Sequence, residues 1–296
     1  MINVALIGCG YWGSKLKRYI VENENFSITD TCNILSDLSV IWDSKDITAV
    51  VVATPNETHY PIIKSALLSG KNVLAEKPLT LKAGQCEELR RIAADRNLVL
   101  LVEYTPTFSK ALEKARIMVE QGKIGNILGL EMMVRHLGRF GGGSVYWILG
   151  SHMLAVLDMF IPIEGMAFSK TDLVTYEGQV ETGVIHFQNG RVSGQIAISL
   201  NYSGKETRVI IYGEKGTIIY DAVSQPSLFL GRYERQKWVV ASELPTDQMM
   251  FRFDEANNLR YAVEYFHQAL KGEAGGNIDR AVAITRILEG LGDENR

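Results

Sequence analysis

Short apolar runs separated by amphipathic stretches fill the first third of the chain. INVALI (2–7) reads as a fully buried strand, and FSITDTC (26–32), TAVVVAT (48–54), KNVLAE (71–76) and NLVLLVE (97–103) follow as four more. Helices are predicted between them, near Ser14 to Asn23, Glu57 to Ser69 and Leu81 to Arg96. Strands apolar on both faces and alternating with helices predict an α/β domain with a doubly wound parallel sheet. The pattern changes after a further helix near Phe108 to Gln121. From Asn126 onward the segments alternate polar with apolar residues or carry turn signals. VIHFQNGRVSGQIAIS predicts a hairpin with Asn189-Gly190 at its tip, and RVIIYGEKGTIIYD predicts another across Glu214 to Gly216. Two closing helices are expected near Glu255 to Lys271 and Ile278 to Leu291. The expected organisation is therefore residues 1–103 as the first domain. Residues 104–296 form a second, α+β domain whose sheet is mainly antiparallel, with one face on helices and the other toward a partner chain or solvent.

Composition narrows the class without changing this picture. A chain of 296 residues is long for one core and fits two domains. A formal net charge of -3 gives no footprint for nucleic acid or an anionic membrane, so neither is expected as a partner. Cys9, Cys32 and Cys86 show no CxxC spacing and predict reduced thiols rather than a disulfide frame or a zinc site. The apolar stretch from Val145 to Ile163 is interrupted by Ser151, His152 and Asp158, which predicts a buried helix over a membrane span. A strand-like segment from residue 1 leaves no expected leader, so the expected compartment is the cytoplasm.

Candidate chemistry begins at GCGYWG, residues 8–13, between the first strand and the first helix. Gly8 permits a tight turn, Gly10 lets the backbone approach a pyrophosphate, and Gly13 allows close packing of the helix. The helix N-terminus then offers N–H groups and partial positive charge to phosphates, with Tyr11 and Trp12 beside them. The placement predicts the Rossmann arrangement for NAD or NADP, the alternative being a glycine-rich strand–helix turn with no ligand. An acid is expected about 20 residues further on to hold the adenine ribose. That position is Asn33 (33 − 13 = 20), which can hydrogen-bond a ribose hydroxyl but brings no charge against a 2′-phosphate. The nearby acid, Asp30, lies inside the predicted strand. Asn33 and Thr48 are 15 positions apart (48 − 33), short for a crossover with its own helix, so the adenosine side is expected to be open.

Three further segments carry a resemblance. ATPNETH (53–59) follows the third strand, AEKP (75–78) follows the fourth, and GSH (150–152) lies at the start of a later apolar helix. With the glycine turn, with QGKIG (121–125) and with YGEKGT (212–217), the chain resembles the Gfo/Idh/MocA family of glucose–fructose oxidoreductase and inositol dehydrogenase relatives along essentially its whole length. EYTPTFS (103–109) looks loosely like branches that act on nucleotide-linked or acylated sugars. The resemblance implies that Lys77 reaches the substrate carbinol beside the nicotinamide, with Glu76 near the nicotinamide ribose, and that Thr54, Pro55, Asn56 and His59 border the cofactor. It also implies that His152 is the acid or base at the substrate. Many members carry Asp four residues earlier. Ile148 stands there in this chain and can neither orient an imidazole nor raise its basicity. Tyr104, Thr105, Arg135 and Arg139 are candidate substitutes or sugar contacts, and equally ordinary junction and strand residues.

The chemistry so implied is hydride transfer between the nicotinamide and a secondary alcohol or ketone of a sugar, nucleotide-sugar or cyclitol, in a homodimer or homotetramer. The catalytic pair would be Lys77 and His152. A positive ammonium lowers the cost of a developing alkoxide, and a base exchanges the proton. The alternative is a regulatory or non-catalytic dinucleotide- or sugar-binding protein, motivated by Ile148 and the short segment after Asn33. His136, His186 and His267 have no paired ligand spacing, no HExxH or Cys/His cluster points to a metal, and no GxSxG elbow is present. Because Asn33 lacks a charge, NAD and NADP affinities are expected to differ by less than about 100-fold, or roughly 2.7 kcal/mol. Calorimetric titration with both dinucleotides checks this, and a much larger ratio would place discrimination on another residue.

Overall fold

The computed structural model describes residues 1–33, 36–140, 142–234 and 246–292. The chain forms two compact units. Met1–Thr105 and Asn257–Glu289 make the first, and Pro106–Ala256 with the residues from Gly290 make the second. The closing helices therefore count with the first unit, whereas the sequence reading grouped residues 104–296 together.

In the first unit, β1 (Ile2–Ile7), β2 (Phe26–Cys32), β3 (Ala49–Val52), β4 (Asn72–Glu76) and β5 (Leu100–Glu103) form one parallel sheet in the order β2-β1-β3-β4-β5. β3 is buried at every position, as expected of a strand covered on both faces. The connecting helices are α1 (Tyr11–Val21), α3 (Asn56–Leu68) and α4 (Ala83–Asp95). α1 starts at Tyr11 and not Ser14, so Gly13 lies in its first turn. The short connection after Asn33 holds a five-residue helix, α2 (Ser39–Asp43). Lys71 fastens that connection, its ammonium donating to the carbonyls of Ser44 and Ile47. Burial holds the Lys71 pKa below the ordinary lysine value.

β5 begins at Leu100, later than expected, because the end of α4 continues into a turn. Asn97 takes a φ of 52°, and Leu98 N–H donates to Ala93 O. β5 is a sheet edge, and the segment at Gly276 and Asn277 covers it. Asn277 Nδ2 donates to Val102 O at 2.8 Å, and its Oδ1 accepts from Val102 N at 2.7 Å. A Cβ on Gly276 would come within 2.7 Å of Leu100 O, so only glycine lets the backbone lie this close. α7 (Asn258–Leu270) and α8 (Ile278–Gly290) bury their apolar faces in this unit, and Phe266 stacks on Phe26.

In the second unit, α5 (Lys110–Glu120) is capped by Ser109, whose Oγ accepts from Leu112 N. An eight-stranded sheet follows in the order β13-β12-β11-β10-β6-β9-β8-β7. Its strands are β6 (Ile127–Leu137), β7 (Ala167–Tyr176), β8 (Gln179–Asn189), β9 (Val192–Ser199), β10 (Asn201–Gly213), β11 (Gly216–Asp221), β12 (Leu228–Tyr233) and β13 (Thr246–Phe251). Among the described residues, only the β6–β9 pair of this sheet is parallel. Both expected hairpins are present. The first turns at Gly190-Arg191, because Asn189 still pairs with Val192. The apolar stretch after Val145 forms a π-helical turn (Tyr146–Gly150) running into α6 (Ser151–Leu157). It packs on one face of the sheet, where a Cβ on Gly150 would lie 3.2 Å from Ile185. The Tyr146 hydroxyl donates to Asp172 Oδ1 at 2.7 Å. Among the described residues, no helix is long and apolar enough to cross a membrane.

Asn277→Ala is expected to strand the N–H and C=O of Val102 and to lower stability by about 1–3 kcal/mol. Denaturant unfolding measures this directly, and an unchanged midpoint would show that the edge clamp contributes nothing.

Candidate active site

The C-terminal ends of β1, β3, β4 and β5 gather the chemistry of the first unit, as expected for an open parallel sheet. At the end of β1 the backbone folds back on itself. Gly8 has a φ of 100°, and a Cβ there would sit 2.4 Å from Ala53 O. A Cβ on Gly13 would sit 2.0 Å from Gly8 O. Both positions are closed to any side chain. Gly10 is different: a Cβ there meets nothing within 4 Å. Its openness is therefore not needed for packing. No acidic residue lies in the first turn of α1 to oppose an anion.

Tyr11 is 67% exposed, and its ring meets Trp12 edge-on at 5.2 Å. Lys15 Nζ lies 4.3 Å from the centre of the Tyr11 ring and 4.8 Å from that of Trp12. Asn33 is exposed just beyond β2, in a turn in which Ser36 N–H donates to Asn33 O and Asn33 N–H to Ser36 Oγ, each at 3.1 Å. Residues 34 and 35 lie outside the described ones. Asp30, within β2, accepts from Thr31 N at 2.8 Å.

Thr54, Pro55 and Asn56 lead from β3 into α3. Thr58 Oγ1 lies 2.8 Å from Thr54 Oγ1 and 2.7 Å from Pro55 O. His59 is 0% exposed. Its Nδ1 is 2.8 Å from Pro78 O and its Nε2 2.9 Å from Thr54 O. The ring thus bridges the turn after β3 and the turn after β4. A neutral imidazole can donate to only one of these carbonyls, whereas the imidazolium serves both but buries a charge. Burial outweighs the two carbonyls and holds the His59 pKa below its ordinary value.

Glu76 closes β4, and Lys77, half-buried, follows it across a cis peptide to Pro78. Glu103 closes β5 directly opposite, in register with Glu76. Glu103 is 1% exposed and Glu76 7%. Glu103 Oε2 accepts from Thr105 Oγ1 at 2.9 Å, while Oε1 has no hydrogen-bond partner. Burial first, and Glu76 second, push the Glu103 pKa well above the carboxylate range, against the Thr105 bond and Lys77. The sequence reading missed Glu103. The signal was present, since two successive predicted strands each end in glutamate. Tyr104, expected near the substrate, is a core residue at 1% exposure whose phenol interacts with Cys86 and Arg280.

His152 lies in the second unit, half-buried on the first turn of α6, and Ile148 is buried in the preceding π-helical turn. Arg135 is on β6, 3.7 Å from Glu206 of β10. Arg139 is exposed beyond β6 with a φ of 64°. The first unit thus brings together the residues expected around the dinucleotide, with Lys77 and Thr105. His152, Arg135 and Arg139 belong to the other unit. Among the described residues, no group of three or more His, Cys, Asp or Glu could hold a metal.

Comparison with known proteins agrees with this geometry. Residues 22–104 match the model of an oxidoreductase family with an NAD-binding Rossmann fold, GFO_IDH_MocA. The 2,7-anhydro-N-acetylneuraminate hydratase of Mediterraneibacter gnavus is 30% identical over 142 residues, covering 43% of this chain and 38% of that protein. The chain spans about two fifths of the length of the curated relatives it matches first. Among solved structures, the UDP-N-acetylglucosamine 3-dehydrogenase of Acidithiobacillus ferrooxidans superposes with a TM-score of 0.82 at 15% identity, covering 98% and 96% of the two chains. A 3-ketoreductase from Actinomadura kijaniata, solved with TDP-benzene and NADP, gives 0.81 at 18% identity with the same coverage. At these identities the likeness establishes the fold.

The depressed pKa of His59 has a stability consequence. The folded form takes up the proton less readily than the unfolded chain, so stability is full above the unfolded histidine pKa. It is lost as pH falls from there through the folded value. His59→Gln should remove this loss, and thermal melts of both proteins across the acid range test it. Parallel pH dependence would exclude His59 as its source.

Proposed function

We propose, for a chain that belongs through residues 22–104 to the Gfo/Idh/MocA oxidoreductase family, that it transfers hydride between NAD or NADP and a secondary alcohol or ketone of a sugar. A nucleotide-sugar or cyclitol is the substrate class. The observation that carries the reading is Gly10: between two glycines closed by backbone, it is open to space at the start of α1. That is the requirement for backbone approach to a pyrophosphate.

The nicotinamide, when bound, supplies the acceptor or donor of hydride. The chain's own residues do the rest. Gly8, Gly10, Tyr11, Trp12 and Gly13 hold the phosphates, and Asn33 meets the adenine ribose. Thr54, Pro55, Asn56 and His59 border the nicotinamide side, and Glu76 meets its ribose. Lys77 stabilises the oxygen of the carbinol as its proton leaves, and His152 exchanges that proton. Thr105, Arg135 and Arg139 are assigned to substrate contacts. Tyr104 acts indirectly, by packing the start of the segment that carries Thr105. Support for the substrate class comes from the named activities of the two solved neighbours and from the segment EYTPTFS. A homodimer or homotetramer and a cytoplasmic setting complete the proposal.

Gly10→Val should leave the melting temperature nearly unchanged and abolish dinucleotide binding, because the new side chain meets ligand and not protein. Lys77→Ala and His152→Ala should each slow turnover about 10²–10⁴-fold. Calorimetry with NAD(H) and NADP(H), followed by turnover on a nucleotide-sugar panel, tests both. Wild-type protein that binds neither dinucleotide at millimolar concentration would sink the reading. Binding without hydride transfer across the panel would favour a regulatory binding protein.

A further inference from the structure

Two carboxylates end adjacent strands at the same register, Glu76 on β4 and Glu103 on β5. Register partners on neighbouring parallel strands are separated by about 4.8 Å, with side chains on the same face. Both glutamates are buried, so water does little to screen one from the other. Glu103 Oε2 is satisfied by the Thr105 hydroxyl, whereas Oε1 is buried and accepts no hydrogen bond. An ionised carboxylate placed this way would hold its charge against a like charge, with one oxygen unsolvated. A neutral acid escapes the larger part of this penalty, because it holds no charge against Glu76 and none to be left unsolvated.

We propose that Glu103 is a standing carboxylic acid, holding the one proton of a Glu103–Glu76 pair and so fixing the charge beside Lys77 at a single carboxylate. The charged groups acting on Glu103 are Glu76 and Lys77, both at the β4 end. Thr105 adds a hydroxyl from its own segment, and Asn277 of the covering segment is neutral and bonds the neighbouring Val102 backbone. The burial of Glu103 and the opposition of Glu76 raise its pKa, more than Lys77 and Thr105 lower it.

The consequence for Lys77 follows from charge. Two carboxylates beside one ammonium would bind its positive charge tightly and leave little to offer a developing oxyanion. One carboxylate balances it and leaves the ammonium able to shift toward substrate oxygen. Glu103 is in this sense a positioning residue, acting through Glu76 and Lys77. This catalytic consequence rests on the role proposed for Lys77, whereas the protonation of Glu103 does not.

Infrared spectroscopy of the whole protein tests the protonation without cofactor or substrate. Wild type should show the carbonyl stretch of a neutral carboxylic acid at neutral pH, shifted by carbon-13 glutamate labelling and lost in Glu103→Gln. Absence of such a band from wild type, or its survival in Glu103→Gln, would overturn the proposal. Thermal melts give a second readout. The folded protein keeps a proton that the unfolded chain releases above the ordinary carboxyl pKa, so wild type loses stability as pH rises from there through the raised value. Glu103→Gln has no proton to release, so its advantage over wild type should widen with pH across that window. A constant gap would contradict the assignment. If Glu103→Gln fails to fold, Glu76→Gln decides instead: without the opposing charge, the acid band should disappear at lower pH than in wild type, and an unmoved midpoint would refute the pair. Since none of these measurements uses hydride transfer, a chain without oxidoreductase activity could still pass them.

Discussion

The nucleotide side of this protein depends on a contact among three pieces of backbone. Gly13 at the start of α1 touches Gly8 at the end of β1, and Gly8 touches Ala53 at the exit of β3. No side chain fits between them. The contact sets where α1 begins and brings its N-terminus to the C-terminal edge of the sheet. From there the linkage continues outward. Ala53 leads to Thr54, whose carbonyl meets His59, and His59 meets the carbonyl of Pro78. Pro78 follows Glu76 and Lys77, and Glu76 lies in register with Glu103. A glycine turn and a carboxylate pair two and three strands away are thus joined by backbone and buried side chains alone. Such a frame holds catalytic groups more precisely than mobile loops do.

What the sequence revealed follows from how local each feature is. β1 and β2 begin and end where their apolar or alternating runs do. The glycine spacing was legible as a motif, and Gly13 against Gly8 answers a need within its own turn, whereas the contact of Gly8 with Ala53 appears only in the fold. The closing helices were legible as helices from periodicity, but periodicity identifies a buried face and not what buries it. Their place against the first sheet depends on Asn277 reaching Val102, 175 residues away in sequence. The π-helical turn at Tyr146–Gly150 carries no sequence signal, because its apolar residues suit an α-helix equally well. His59 was legible as a neighbour of the cofactor segment, but its bridging role needs Pro78, 19 residues on. Glu103 was visible as a strand end, and its meaning appeared only with the β4–β5 register.

The return of the chain to the first unit has a physical reason. A parallel sheet needs cover on both faces, and β5 as an edge strand exposes a row of backbone groups. Asn277 imitates a neighbouring strand by both donating to and accepting from Val102. Gly276 lets the backbone lie against Leu100. Deeper in, Cys86 of α4 lies 3.4 Å from the Thr285 hydroxyl of α8 and 3.2 Å from that of Thr80. Burial raises the Cys86 thiol pKa, so the sulfur serves as a packed, protonated neighbour and not as a nucleophile. One residue beyond Val102, Glu103 is itself 1% exposed.

The same environment bears on whether the site does chemistry or only binds. Burying a carboxylate opposes folding, and burying a second one opposite it opposes folding further. A sheet end that served only to cradle a dinucleotide would still use Glu76 for the proposed ribose contact, but would be more stable with an apolar residue at 103. Ile148, which stands where the family resemblance implies an acid, argues the other way, toward the binding reading. Titratable groups instead concentrate at the ends of β4 and β5, where Glu76, Lys77 and Glu103 act on one another. A strongly perturbed ionisable group at the C-terminal edge of a parallel sheet marks a candidate functional site. The stability cost of Glu103 is thus on the side of the proposed oxidoreductase and against the alternative of a fold retained for binding alone.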